Sequence, residues 1–186
     1  MIYETTPPTQ DCNPLTKVKK LYPDIALAIE KSEISHTLII QDLINNYEFI
    51  RQDPRHHLNL SRFCLTALDG INQIRNINEL ENLNLSNNYI TSLKFTLFSH
   101  LTALKELDLS NNQLTSLDLH AFSYLIALYN LNLSNNQITV IHPNAFSYLE
   151  NLAIINLWKN PISANDKQAG ASILRNTLSN PNFMIR

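Results

Sequence analysis

The side chains of this sequence that could do chemistry are six histidines, two cysteines and a modest number of acids. His56 and His57 are adjacent, and adjacent strand residues point to opposite faces, which is unfavourable for one shared metal ion. No Ser-His-Asp order can be assembled, and with two glycines a phosphate-binding glycine loop is not expected. Cys12 and Cys64 have no catalytic context. The sequence therefore predicts a protein that is not an enzyme and that uses no metal and no cofactor.

The chain contains a repeat that organises its central part. Leu83, Leu107, Leu131 and Ile155 recur every 24 residues, and the segments around them share the pattern L-x-x-L-x-L-x-x-N-x-L, with isoleucine at some leucine positions. Self-similarity at a period of 20 to 50 residues is typical of a solenoid. Leu83 and Leu85 alternate with polar residues, which indicates a strand with one buried face.

This pattern is that of the leucine-rich repeat family, which the chain resembles over roughly its last two thirds. The resemblance implies an α/β fold, a solenoid of about five repeats with a parallel β-sheet on the concave face. Leu58 to Leu68 reads as a degenerate first repeat, as terminal repeats often are. Phe98, Phe122 and Phe146 recur at one offset and predict a buried aromatic spine.

One asparagine in each repeat predicts a structural ladder, because an amide can satisfy backbone groups in its own turn and in the neighbouring repeat. These residues are Asn88, Asn112, Asn136 and Asn160.

Four segments follow from this organisation. Residues 1–12 lack an apolar rhythm and predict a disordered N-terminus. Residues 13–54 predict an N-terminal helical cap, residues 55–163 the solenoid, and residues 164–186 a C-terminal cap that contains a helix.

Two interpretations of the helical segment 13–54 remain open. The favoured one is a cap that covers the first repeat. The alternative is a docking element, because residues 21–29 have a faint likeness to the start of an F-box. In that case the chain would be a ubiquitin-ligase adaptor whose helices bind the ligase while the repeats hold the target.

The concave sheet is the expected binding surface, because its outward strand positions have no packing role. Trp158 is an expected interface anchor, with packing beneath the C-terminal helix as the alternative. The predicted partner-binding residues are Asn84, Glu106, Asp108, Asn130, Asn132, Ile154, Asn156, Trp158 and Lys159.

Composition limits the partner and the compartment. A net charge of −2 without a long basic run argues against nucleic acid, and no apolar run is long enough for a membrane span. Two cysteines are too few for a disulfide framework, and the N-terminus does not resemble a secretory signal peptide. We therefore expect a cytosolic, reducing location.

The repeats, the helical N-terminal segment and the absence of cysteine-rich caps resemble the leucine-rich repeat effectors of intracellular bacterial pathogens. That resemblance implies virulence, secretion into a host cell by a type IV or type III apparatus without a Sec signal peptide, and a eukaryotic host protein as partner. A monomer is expected.

Overall fold

The computed structural model describes residues 56–66, 68, 77–94 and 97–162, together with the strand formed by Met184 and Ile185. The expected disordered N-terminus, the helical cap and its F-box alternative lie outside the described residues. So does the predicted C-terminal helix. The expected segment boundaries near residues 12, 54 and 163 also lie outside them.

Each repeat contributes one three-residue strand whose central residue is buried and whose two flanking residues face outward. This follows from the alternation of leucine with polar residues, since successive side chains of a strand point to opposite faces. The strands are β1 (His57–Asn59), β2 (Asn82–Asn84), β3 (Glu106–Asp108), β4 (Ser116–Leu117), β5 (Asn130–Asn132), β6 (Val140–Ile141), β7 (Ile154–Asn156) and β8 (Met184–Ile185).

The main sheet is parallel and has the order β1-β2-β3-β5-β7-β8. Its register places equivalent residues opposite one another, so that the buried column is Leu58, Leu83, Leu107, Leu131 and Ile155. A single register is enforced because a slip by one residue would turn the leucines to the outer face. The predicted solenoid with a parallel concave sheet is confirmed.

The strand β8 was not predicted. Met184 lies opposite Ile154 and Ile185 opposite Ile155, so the last residues of the chain extend the sheet beyond the fifth repeat. A C-terminal cap that contains a helix is the expectation for residues 164–186, and it includes no strand.

The return side of the solenoid is built from turns. In the described ranges the return segments contain no α-helix; one 3-10 helix, Ile77–Glu79, precedes β2, and β4 and β6 form a small parallel sheet. Phe122 is fully buried, and its ring stacks on those of Phe98 and Phe146 with centroid distances of 6.4 and 6.0 Å. Each aromatic ring therefore packs between neighbouring repeats rather than within its own.

The first repeat keeps the fold with different residues. Phe63, at the position where later repeats have the ladder asparagine, is 2% exposed. Cys64 is half-buried and disulfide-bonded, although two cysteines are too few to predict a disulfide framework. No helix in the described part of the chain has the length and apolar character needed to cross a membrane.

Candidate functional site

The concave face of the sheet carries a groove of about 420 Å³ that runs across the strands of all five repeats. The structure gathers seven of the predicted partner-binding residues in its lining: Asn84, Glu106, Asp108, Asn130, Asn132, Ile154 and Asn156. Trp158 and Lys159 do not line it.

Three further polar residues line the groove but were missing from the predicted set: His57, Asn59 and Asn82. They occupy the same strand positions in the first two repeats as the predicted residues do in later ones. The repeat alignment itself was therefore the signal that could have found them.

The outer row of the groove is held by turns at the strand ends. In the last residue of each repeat strand, Oδ1 accepts a hydrogen bond from the backbone N–H two residues later, at 2.8 to 3.2 Å. Such turns are typical of Asn and Asp because their short side chains reach their own backbone. The residues that do this are Asn59, Asn84, Asp108, Asn132 and Asn156.

Extending the strand alternation into the following turn predicts three serines on the concave face, and the structure instead buries them. Ser86, Ser110 and Ser134 are 5 to 6% exposed. The Ser134 hydroxyl donates to Asn132 Oδ1 at 2.8 Å, while Ser86 Oγ accepts from Asn87 Nδ2 at 3.1 Å. Their hydroxyl groups therefore stabilise the turn and are not open to a partner.

The ladder asparagines lie below the groove and are buried, each 8% exposed or less. The Oδ1 atom of Asn112 accepts from Ile90 N–H at 3.1 Å, and its Nδ2 donates to Leu85 O and Leu109 O at 3.0 Å. Asn88, Asn136 and Asn160 make the equivalent contacts. Each of these amides bonds to both its own repeat and the preceding one.

Trp158 replaces the buried serine of repeats two to four and is 61% exposed. Lys159 Nζ lies 4.4 Å from the centroid of its ring, which is cation–π geometry. Lys159 has a φ of 55°, a left-handed conformation that earlier repeats fill with asparagine. This pair therefore forms an exposed aromatic corner beside the groove.

Other large apolar side chains are also exposed, and the sequence analysis singled out none of them. These are Ile126, Tyr129, Val140 and Tyr148.

Charge in the groove is acidic. Glu106 and Asp108 line it, and among the described residues no lysine or arginine does. At the edge of the sheet, Lys105 Nζ donates a hydrogen bond to Glu81 Oε1 at 2.7 Å. This hydrogen bond and the positive charge of Lys105 lower the pKa of the Glu81 carboxyl. No cluster of histidine, cysteine and acid that could hold a metal occurs among the described residues.

Comparison with known proteins supports the repeat assignment. The sequence profile described as "Leucine rich repeat" matches residues 78–133 and 126–171, which together span half of the chain. No curated protein sequence matches the chain.

Many solved structures are similar to it, among them the following two. A leucine-rich repeat protein of Leptospira interrogans is 34% identical with a TM-score of 0.50, over 58% of this chain and 25% of that one. The Toll–Spätzle complex of Drosophila matches at 21% identity and a TM-score of 0.54, over 62% of this chain and 15% of that one, which shows the fold alone.

This chain thus spans about a quarter or less of the proteins it matches. Proteins built on this repeat generally act as binding scaffolds. The 24-residue repeat, the asparagine ladder and the profile matches across half of its length show that the chain belongs to the leucine-rich repeat family.

Proposed function

We propose that this protein binds a partner protein through the concave groove and catalyses no reaction. The observation that carries the proposal is the groove itself, an open polar surface across five strands whose side chains are not needed for the core. Short Asn side chains give adaptable hydrogen bonds with little entropy to lose, and asparagine is common on recognition surfaces.

Trp158 supplies the apolar area that such a surface otherwise lacks. Large aromatic side chains dominate interface energies when a partner buries them. The Trp158 ring is exposed, lies two residues after Asn156, the last groove residue of the fifth repeat, and has Lys159 Nζ over its face. We therefore assign it as the anchor at the C-terminal end of the interface.

The test is titration calorimetry against the protein that affinity capture returns. Trp158→Ala should weaken binding by at least ~2 kcal/mol, as expected for an anchor residue. Asp108→Asn should mainly change the association rate and its salt dependence, because it removes a charge but keeps the oxygen that accepts from Ser110 N–H.

Asp118→Ala, on an exposed return turn, is the matched control and should leave binding unchanged. Unchanged affinity in both the Trp158 and the Asp108 variant, with the fold intact by circular dichroism, would move the site away from the concave face.

We further propose that the protein is a bacterial effector that is secreted into a host cell and binds a host protein there as a monomer. The support is the resemblance of its repeats to such effectors. A reporter fusion that signals only inside host cytosol should be translocated by a bacterium with an intact type IV apparatus. Translocation that is equal in an apparatus-deficient strain would contradict this. The F-box alternative predicts that ligase subunits are captured instead.

A further inference from the structure

The amides of the outer groove row have a fixed orientation. Because Oδ1 of Asn84, Asn132 and Asn156 is held by a backbone N–H, Nδ2 must point away from the turn. These three Nδ2 groups donate to no other group in the described residues. The groove therefore presents oriented hydrogen-bond donors whose protons have no protein acceptor.

An acid interrupts this row of donors. Asp108 lies between Asn84 and Asn132 in the sheet register. One of its carboxylate oxygens accepts from Ser110 N–H at 2.8 Å, which leaves the other for a ligand. Glu106, two residues earlier in the same strand, is exposed in the groove. Along the groove, the Asn84 donor is therefore followed by the acidic pair Glu106 and Asp108, and then by the Asn132 donor.

The spacing of this row selects the conformation of the ligand. Neighbouring strands are about 4.7–4.9 Å apart, so Asn84 and Asn132, two strands apart, are separated by about 9.4–9.8 Å. A polyproline II helix repeats every three residues, about 9.3 Å, and its carbonyls have no internal hydrogen bonds. An extended β-strand repeats its carbonyls on one side every ~6.6–6.8 Å. That repeat matches neither the distance between adjacent strands nor the distance between Asn84 and Asn132. An α-helix uses its carbonyls internally.

Building on the proposed function, we propose that the groove binds a cationic polyproline II segment of the partner protein. One carbonyl of the segment accepts from Asn84 Nδ2, and the carbonyl three residues later accepts from Asn132 Nδ2. A lysine or arginine between them pairs with Asp108 and Glu106. Beyond Asn156, the exposed Trp158 ring provides a face for a proline, as in other aromatic grooves that recognise this conformation.

The probe is a synthetic peptide of repeated Pro-Pro-Arg units, titrated into the full chain by calorimetry or NMR. The control peptide keeps every arginine but has serine in place of proline, which preserves the charge and removes the preformed helix. The proline peptide should bind at least about tenfold more tightly than the control.

Asn84→Asp and Asn132→Asp separate hydrogen bonding from charge. Each keeps the oxygen that the turn needs, removes the donor and adds a negative charge. If the amide donors bind the peptide, each variant should weaken binding of the proline peptide about tenfold. If the groove only attracts cations by charge, each variant should bind the peptide more tightly. Asn130→Asp adds the same charge on the same strand as Asn132 without removing a row donor, and should not weaken binding.

Tighter binding in the two row variants would overturn this inference. So would equal binding of the serine peptide. If the proline peptide fails to bind while Trp158→Ala still weakens binding of the captured protein, the inference is wrong and the proposed function stands.

Discussion

Asparagine occupies three positions of the repeat, and each has a different task. The last strand residue, such as Asn132, closes a turn and faces the groove. The third residue after it, Asn135, takes a φ of 53°, which asparagine tolerates better than most residues. The fourth, Asn136, is buried and joins two repeats. The high asparagine content therefore reflects three separate physical demands on one residue type.

Asn136→Ala should lower the free energy of unfolding by at least ~3 kcal/mol, because several buried backbone groups lose a partner at about 1–3 kcal/mol each. The groups are Leu114 N–H and the carbonyls of Leu109 and Leu133. The exposed neighbour Gln137→Ala is the control and should change stability by less than ~0.5 kcal/mol. Urea unfolding measures both, and equal midpoints would show that the ladder bonds contribute nothing.

The ion pair between Glu81 and Lys105 makes a pH prediction. The pKa of Glu81 is lowered in the folded state, so the pair stabilises the fold above the ordinary carboxyl pKa and stops doing so as pH falls through the lowered folded value. The ion pair lies at the surface, so the effect on stability should be slight and weaker at high salt.

NMR titration of the Glu81 carboxyl should show the lowered pKa. Lys105→Ala should return that pKa toward its usual value. A pKa that does not move in this variant would rule out Lys105 as the main cause.

Much of the residue-level site could be predicted from the sequence, because alternation with leucine places residues such as Asn84 and Asp108 outward. The burial of Ser86, Ser110 and Ser134 could not. The strands are three residues long, and extrapolating their alternation past the last strand residue into the turn gave the wrong face. For Trp158 the sequence left two alternatives; the ring is exposed, and its role as an anchor stays a prediction.

At the scale of elements, the strands are too short to be stable alone, and their stability comes from stacking. On the return side the phenylalanine rings stack from one repeat to the next and so join neighbouring repeats. The leucine column joins them in the same way beneath the sheet. Both features follow from a regular spacing and could be predicted. The strand β8 could not, because Met184–Ile185 carries no repeat pattern and its pairing depends on the open edge of β7.

Phe122→Ala should cost ~3–5 kcal/mol of stability, because it removes a fully buried ring from the middle of the spine. The exposed return-turn residue Asp118, changed to alanine, should cost less than ~0.5 kcal/mol. Thermal unfolding followed by circular dichroism distinguishes the two. A loss of similar size in both variants would contradict the burial described above.

For the whole molecule, the disulfide at Cys64 bears on the compartment. The expected reducing location depended on treating both cysteines as thiols, and disulfides persist mainly in oxidising compartments. The disulfide removes that support, and the location stays a prediction to be tested. The net charge of −2, unlike the disulfide, can be read directly from the sequence.

Peptide mapping without reductant should recover the Cys64 peptide in a cross-linked form. Reduction should then lower stability by ~2–4 kcal/mol, since an unfolded chain without the link has more conformational freedom. Recovery of a freely alkylated Cys64 from protein purified without reductant would favour the reducing cytosol.

The asparagine ladder has a direction, which matters while the chain is being synthesised. Asn88 bonds back to Leu60 and Phe63, and Asn160 bonds back to Leu133 and Ile138. A repeat that has just left the ribosome therefore has unpaired backbone groups until the ladder asparagine of the next repeat has been translated. Nascent chains stalled one repeat short should be digested by protease in their last complete repeat, and protection should advance toward the C-terminus in steps of one repeat.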